Sequence, residues 1–322
     1  MGHEKRTPWR RWVVLVLMIA GFVLAGRFIP VRPEITVAPE RLTEEPLFTL
    51  PEPFGPFYLV NTLPTLVVTL ILLGIIAYFT NRSLKKSAQT DLVPRGIGNL
   101  MEALLEVLYN LTESSAGAKY VRMIFPWFAT IMIYVLFANL LKLIPGFESI
   151  GVLHQVAKGH PVSGSILMPG EVENGYILAP FFRGISVDLN FTFALAVISF
   201  TMIQVVGFRA QGFSYLSKFF NTRRMFKVPF FGAMDFLVGL IELFSEFMKI
   251  ISFAFRLFFN MFAGIILVAV VAFLIGKITI VSSMLYLFEL FIGVIQAFVF
   301  GMLTMVFMAM ATQGHGEEHT EH

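Results

Sequence analysis

The chain contains no cysteine among its 322 residues, which excludes a disulfide framework and any chemistry that needs a thiolate. Charged residues are also scarce, at 14% of the chain, whereas soluble domains carry about 25%. The sequence has no nucleotide-binding loop, dinucleotide fingerprint, nucleophile motif or convincing metal-ligand spacing. We therefore expect no autonomous enzyme, no cofactor and no metal site. Without a basic helix or an aromatic-interleaved basic patch, we expect no nucleic-acid partner either.

Long apolar runs dominate the chain. Hydrophobic residues make up 57% of it, and the runs have the length of membrane-spanning helices. They lack the alternating segments of about 10 residues that are typical of an outer-membrane barrel. We therefore expect an all-α integral membrane protein. The predicted spans are residues 57–80, 124–144, 189–208, 229–276 and 278–312.

The last two spans are longer than a membrane requires. One helix over residues 229–276 would measure about 70 Å, whereas the hydrocarbon core is about 30 Å thick. Such a helix must be strongly tilted, bent or broken. Because Lys277 marks a short turn between the two spans, we expect a hairpin of two long tilted helices at the C-terminal end.

Two interpretations of residues 1–30 remain open. A basic start followed by an apolar run without charge fits a cleaved signal peptide and fits equally an extra membrane anchor. Residues 31–56, acidic and rich in proline, are expected to be an exported irregular segment. The membrane domain then covers residues 57–312, and residues 313–322 form a cytoplasmic polar tail.

Basic residues cluster in loops that we assign to the cytoplasmic side. They follow the span 57–80, where Lys85 and Lys86 lie, and they fill residues 209–228 without any acid. Counting the first segment, six crossings with both termini inside satisfy every such loop. We expect residues 83–122 to form a polar loop, within which residues 97–111, with apolar residues near helical spacing, lie on the membrane surface. Residues 147–185 are expected to lie outside. His154 and His160 are interpreted as solvated residues of that outer loop.

A narrow polar stripe interrupts the apolar segment 241–264. Its members fall within roughly 40° of one line along a helix. A charge at membrane depth normally faces protein or water and marks an ion path. The alternative is a structural ion pair, in which Lys249 bonds Glu242 or Glu246, but the flanking turns offer Arg256 no carboxylate. The stripe consists of Glu242, Glu246, Lys249, Arg256 and Asn260.

Polar residues in the other spans complete the set of candidates. Glu289 and Gln296 are seven residues apart on one helix face, where they could meet Asn260 and Arg256 and form a proton relay, or simply hydrogen-bond each other. Asp188 either caps the helix that follows it or lines an aqueous entrance together with Asn190. Asn139 could hydrogen-bond a neighbouring helix.

The segment SFAFRLFFNMFAG at 252–264 resembles subunit a of the F-type ATP synthase membrane sector, whose pattern is close to S-L-x-x-R-L-F-G-N-M-x-A-G. The resemblance covers about residues 57–312. Four further stretches agree in order, namely NTLPTLVVTLILLGIIAYFT (61–80), FPWFATIMIYVLFANLLKLIPG (125–146), VDLNFTFALAVISF (187–200) and IQAFVFGMLTMVFMAMAT (295–312).

The resemblance implies a stator subunit that forms two offset ion half-channels beside a rotating ring of c subunits. It implies no nucleotide site on this chain, and it implies the c ring, b-type peripheral stalk subunits, the rest of the ATP synthase and membrane lipid as partners. The location implied is the bacterial inner membrane. In residue terms, Arg256 faces the ring carboxylates, Asn260 and Gln296 lie beside it, Glu289 belongs to the outer entrance, and Glu242 with Ser245 belongs to the inner exit.

Three positions depart from the family pattern. Ile265 stands where many relatives carry an acid or a histidine, so the outer relay is expected to use Asp188, Asn190 or water instead. Phe259 replaces a glycine and Ile250 replaces a common proline. The main alternative to this interpretation is a secondary transporter or channel that works without a ring. Such folds usually contain a repeated half, and the sequence has no repeat.

Overall fold

The protein is described by a computed structural model. It describes residues 38–43, 45–49, 51, 55–87, 96–144, 147–148, 150–164, 166–168, 170, 172–218, 229–275 and 279–313. The proposed signal or anchor segment 1–30, half of the basic loop 209–228 and nearly all of the polar tail lie outside these residues. Within them, five helices are long and apolar enough to cross a membrane, which confirms the all-α membrane fold.

These helices are numbered in chain order. They are α1 (Thr62–Ser87), α2 (Ile97–Leu141), α3 (Leu189–Gln211), α4 (Pro229–Ile275) and α5 (Thr279–Thr312). Helix α1 begins later than the predicted span 57–80, because Pro56 and Phe57 pair in a short strand. It also continues through Lys85 and Lys86, which lie in its last turn. Their positive charges stabilise the helix by interacting with the negative C-terminal end of its dipole.

The prediction of a polar loop over residues 83–122 was wrong. Helix α2 joins the predicted surface segment 97–111 to the predicted span 124–144 in one element of 45 residues. Its two parts meet at Gly117, whose φ of 74° and ψ of 161° are not helical. Residues other than glycine rarely adopt a positive φ, so Gly117 permits a kink that keeps the two apolar segments distinct.

The chain divides into two compact units, of which the first comprises residues 1–61, 145–183 and 262–292. This unit contains short antiparallel strands that were not predicted. β1 (Phe48–Thr49) pairs with β2 (Pro56–Phe57), and β4 (Val162–Ser163) pairs with β5 (Ile166–Leu167). A central strand β3 (Gly151–His160) lies between β6 (Val172–Glu173) and β7 (Tyr176–Pro180).

The second unit comprises residues 62–144, 184–261 and 293–322. Its buried core includes Phe128, Val135 and Phe300. Helices α2 and α5 approach closely at Gly301, where an added Cβ would lie 2.8 Å from the Cβ of Met132. The sequence uses a glycine there because no larger residue fits between the two helices without displacing a neighbour.

Contacts within the second unit show that α4 and α5 run antiparallel. The ring of Phe253 lies 5.5 Å from that of Phe300 and 5.6 Å from that of Phe307, and Asn260 bonds Gln296. Later positions on α4 thus meet earlier positions on α5, as in the predicted hairpin. The sequence predicted that a helix of this length is strongly tilted, bent or broken. Helix α4 is continuous over 47 residues, which excludes a break.

Candidate ion-path residues

Arg256 lies on the exposed face of α4, with Phe255 and Phe259 beside it in stacked contact at 5.3 Å between ring centroids. Within the part of the chain that the structure describes, no residue forms a hydrogen bond or an ion pair with its guanidinium. An uncompensated charge on a membrane-spanning helix costs from about 3 to more than about 10 kcal/mol. The charge of Arg256 is therefore not balanced by any group among the described residues.

One turn beyond Arg256, a polar pair joins the two helices of the hairpin. Asn260 Nδ2 donates a hydrogen bond of 2.7 Å to Gln296 Oε1. Gln296 is only 3% exposed, and its Nε2 group is buried without a hydrogen-bond partner among the described residues. A buried donor without a partner is rare and needs a physical reason. The predicted meeting of Asn260 and Gln296 is confirmed.

The charged residues nearer the start of α4 form a different arrangement. Lys249 Nζ donates to Glu246 Oε1 at 2.7 Å, so the predicted structural ion pair is confirmed for these two residues. Gln204 Nε2 lies 3.4 Å from Glu246 Oε2, and the Tyr215 hydroxyl donates to Gln204 Oε1 at 2.8 Å. Gln204 was not identified from the sequence, although a strongly polar residue in the middle of an apolar span is a signal that could have indicated it.

Glu242 and Ser245 precede this network on the same helix. Ser245 is exposed and lies about three turns from Arg256 on the same face of α4. Glu242 is half-buried and is not without an interaction partner. The structure therefore leaves Ser245 on the exposed surface that carries Arg256.

Asp188 is the N-cap of α3, as one of the two interpretations predicted. Its Oδ1 accepts a hydrogen bond of 2.9 Å from the backbone N–H of Asn190, and its Oδ2 accepts one of 2.7 Å from the Thr62 hydroxyl. The carboxylate, 5% exposed, thus joins the first turns of α1 and α3. The side chain of Asn190 is exposed and borders an open groove of about 590 Å³ that also includes Phe193 and Val197 of α3.

Asn139 makes the helix-to-helix bond that the sequence predicted. Its Nδ2 donates to the backbone carbonyl of Gly293 on α5 at 3.0 Å, and its Oδ1 accepts 2.6 Å from Ser186. All three residues are buried. Ser186 was not identified from the sequence, because its short 3-10 turn, Ile185–Val187, carries no periodic signal.

Glu289 belongs to the first unit, where it is 7% exposed. A Cβ added at Gly264 would lie 3.9 Å from the Cγ and Oε1 atoms of Glu289, so the carboxyl lies close to the α4 backbone next to Ile265. Glu289 takes part in an interaction within the structure. The apolar Ile265 is half-buried and supplies no second titratable group at this level.

The prediction that His154 and His160 lie in a loop was wrong. Both lie in strand β3 and are half-buried. His160 Nδ1 lies 2.6 Å from the Gly170 carbonyl, and His154 Nε2 is buried without a hydrogen-bond partner among the described residues. The pairing of β3 with β7 places both histidines in a sheet, where each residue remains partly exposed. Among the described residues, no group of three or more His, Asp or Glu side chains could hold a metal ion.

Among the described residues, five helices are long enough to cross a membrane, and they define a multi-pass membrane protein. Residues 62–309 match the family model described as ATP synthase A chain. The chain is 28% identical over 248 residues to ATP synthase subunit a of Helicobacter pylori strain P12, covering 76% of this chain and 89% of that one. It is 31% identical over 248 residues to ATP synthase subunit a of Campylobacter jejuni subsp. doylei, covering 75% and 86% respectively. The chain belongs to the ATP synthase A chain family.

Proposed function

We propose that this chain is the stator subunit of an ATP synthase membrane sector, which forms two ion half-channels and couples proton flow to rotation of a c-subunit ring. The observation that carries the proposal is Arg256, an exposed cation on an apolar helix with no partner among the described residues. A ring carboxylate that moves past this helix would supply the missing counter-charge. Family membership provides the complex in which such a ring exists.

The chemistry of Arg256 suits a barrier and an attractor. A guanidinium stays protonated in proteins, so it cannot relay protons between two half-channels. A ring carboxylate within about 4–6 Å of it is favoured in its ionised form and releases its proton toward the exit. In contact with lipid the same carboxyl must be neutral, so rotation requires loading first. The membrane potential contributes about 2.3 kcal/mol per charge per 100 mV.

The amide pair beside Arg256 supports this role. Asn260 is exposed on the same helix, and Gln296 holds it in place with a buried amide whose Nε2 group has no partner within the described residues. These donors are suited to a passing carboxylate or to water that serves it. We assign Glu289, Asp188 and Asn190 to the outer entrance, and Glu242 with Ser245 to the inner exit.

The assembly and location follow from the same proposal. The partners are the c ring, b-type peripheral stalk subunits, the remaining ATP synthase subunits and membrane lipid. ATP chemistry belongs to other subunits, and this chain is a non-catalytic, ion-translocating component. We place it in the bacterial inner membrane, with both termini cytoplasmic if residues 1–30 are an uncleaved anchor.

The test replaces Arg256 in the assembled complex. Proton pumping and ATP synthesis are measured in membrane vesicles with Arg256→Ala, and Arg256→Lys serves as the charge-retaining variant. Ser252→Ala, one turn away on the same exposed face, serves as a control for a change of surface. We expect coupled transport to be lost in Arg256→Ala while the complex remains assembled. Normal coupled synthesis in that variant would overturn the proposal and favour a transporter without a ring.

A further inference from the structure

Lys249 lies on nearly the same line of α4 as Arg256. The two are seven residues apart, which places Lys249 about 10 Å along the axis and within roughly 20° of Arg256 around the helix. Its side chain is 26% exposed, so it borders the surface on which Arg256 lies. A second cation in this position would present a competing charge to anything that binds Arg256.

The structure neutralises that second cation within the chain. Glu246 holds Lys249 at 2.7 Å with one carboxylate oxygen, and the Glu246 residue is 3% exposed. Gln204 from α3 lies 3.4 Å from the other carboxylate oxygen, and the Tyr215 hydroxyl bonds Gln204 in turn. The Lys249 Nζ atom also lies 4.7 Å from the centroid of the Phe307 ring on α5. The ion pair is thus held by contacts from α3 and α5.

Local packing keeps this network in place. Tyr215 is 3% exposed and its ring lies directly against α3, where an added Cβ at Gly207 would be 2.6 Å from Tyr215 Cε2. Glycine at this position lets the tyrosine ring reach the helix surface and orient Gln204. Gly207, Tyr215 and Gln204 thus form a hydrogen-bonded and packed network around the Glu246 carboxylate, which fixes its position more firmly than an isolated ion pair on the surface would be fixed.

We propose that Glu246 is a positioning residue that masks Lys249, so that Arg256 is the one cation a ring carboxylate meets on this surface of the described chain. The inference rests on the proposed function, because it assumes that a carboxylate passes Arg256. Glu246 then acts only by neutralising the charge of Lys249, and it takes no direct part in proton transfer. The Gln204–Tyr215 pair keeps the Glu246 carboxylate oriented toward Lys249.

The expected effect follows from the distance. An uncompensated charge about 10 Å away changes the balance between an ionised and a neutral carboxyl by roughly tenfold at an effective dielectric constant of about 20. A bare Lys249 would therefore hold the ring carboxylate in its ionised form beside the stator. Reprotonation before the carboxyl enters lipid would become slower, and rotation would slow with it.

The experiment is a double-mutant cycle in the assembled complex. ATP-driven proton pumping is measured in inverted vesicles with Glu246→Gln, Lys249→Met and the two combined, and the amount of assembled complex is determined for each. We expect Glu246→Gln to lower pumping by about five- to tenfold, Lys249→Met to keep more than half of it, and the double variant to recover to within about twofold of the unmodified chain.

Rescue by the second substitution separates masking from a structural role. If Glu246 only braced the helices, removing Lys249 as well would restore nothing, and a double variant as slow as Glu246→Gln would overturn the inference. Unchanged pumping in Glu246→Gln would also overturn it, as would failure of both Glu246→Gln and the double variant to assemble. Arg256→Ala in the same vesicles tests the proposed function separately. Normal proton pumping by that variant would contradict the proposal that Arg256 meets a ring carboxylate.

Discussion

The amide of Asn260 donates a hydrogen bond of 2.7 Å to the buried Oε1 atom of Gln296, and this bond joins α4 to α5 one turn from Arg256. The two partners differ in their surroundings. Asn260 is exposed on α4, whereas Gln296 is buried on α5 and its Nε2 group has no partner within the described residues. The exposed Asn260 amide is therefore held in position by a hydrogen bond to the buried Gln296 side chain.

This difference predicts an asymmetry between two substitutions. Asn260→Leu leaves the buried Gln296 amide without its remaining bond, at a cost of about 1–3 kcal/mol. Gln296→Leu removes the buried polar group itself, and the exposed Asn260 can turn to water, so we expect a smaller loss of stability. The measurement is the temperature at which the subunit is lost from the solubilised complex. Equal destabilisation by the two variants would contradict the assignment.

Close packing between α2 and α5 predicts a steric effect at Gly301. An added Cβ there would lie 2.8 Å from Met132 Cβ and 3.1 Å from Phe128 Cε2. We expect Gly301→Val to destabilise the protein by about 1–3 kcal/mol, because an overpacked core must displace its neighbours. Thermal denaturation of the solubilised chain measures the loss.

The matched control is Gly74 in the middle of α1. A Cβ added at Gly74 meets nothing within 4 Å. Gly74→Ala should therefore be neutral or slightly stabilising, because alanine has the higher helix propensity. If Gly301→Val proved as mild as Gly74→Ala, the close approach of α2 and α5 would be wrong.

The membrane helices could be predicted because each contains an apolar run of the required length. The hairpin followed in the same way, from two runs too long for one crossing and a charged residue between them. The strands β3 and β7 could not be predicted, because a short Gly- and Pro-containing segment has no strong alternation and its pairing depends on contacts across the chain. Gly117 also gave no sequence signal, since its positive φ is a property of the folded backbone.

Some of the candidate residues could be predicted, and others could not. Arg256, Asn260 and Gln296 stand out as polar residues in apolar segments, and the bond between Asn260 and Gln296 follows from the hairpin. The choice of Glu246 as the partner of Lys249 was left open, because Glu242, two turns away, lies on the same polar stripe as Glu246, one turn away. Tyr215 and Ser186 became visible only when the fold placed them beside Gln204 and Asn139.

Asp188 allows the capping role to be separated from an ionisable role. Its Oδ1 accepts from the Asn190 backbone and its Oδ2 accepts from Thr62. Asparagine keeps one accepting oxygen for the cap, and its Nδ2 group can donate to the Thr62 hydroxyl in place of the second bond, without a titratable group. We expect Asp188→Ala to lower stability by about 1–2 kcal/mol through the lost cap and the lost contact with α1. Asp188→Asn should recover most of that stability.

The same two variants test the outer entrance. With folding maintained in Asp188→Asn, proton pumping reports only on the carboxylate's charge. We expect pumping to fall several-fold in Asp188→Asn if the carboxylate serves the entrance, as we propose. Full pumping in this variant, together with instability of Asp188→Ala, would leave Asp188 as a cap and remove it from the ion path.

The Asn139–Ser186 bond predicts coupling between two buried positions. Ser186 Oγ donates to Asn139 Oδ1 at 2.6 Å, and Asn139 Nδ2 donates to the Gly293 carbonyl. Each of Asn139→Ala and Ser186→Ala removes the same bond, so the double variant should be less destabilised than the sum of the single variants. We expect a coupling of about 0.5–3 kcal/mol, measured by thermal or denaturant unfolding of the solubilised chain. Simple additivity would show that the bond does not stabilise the contact between α2 and the turn that carries Ser186, because independent sites add without a coupling term.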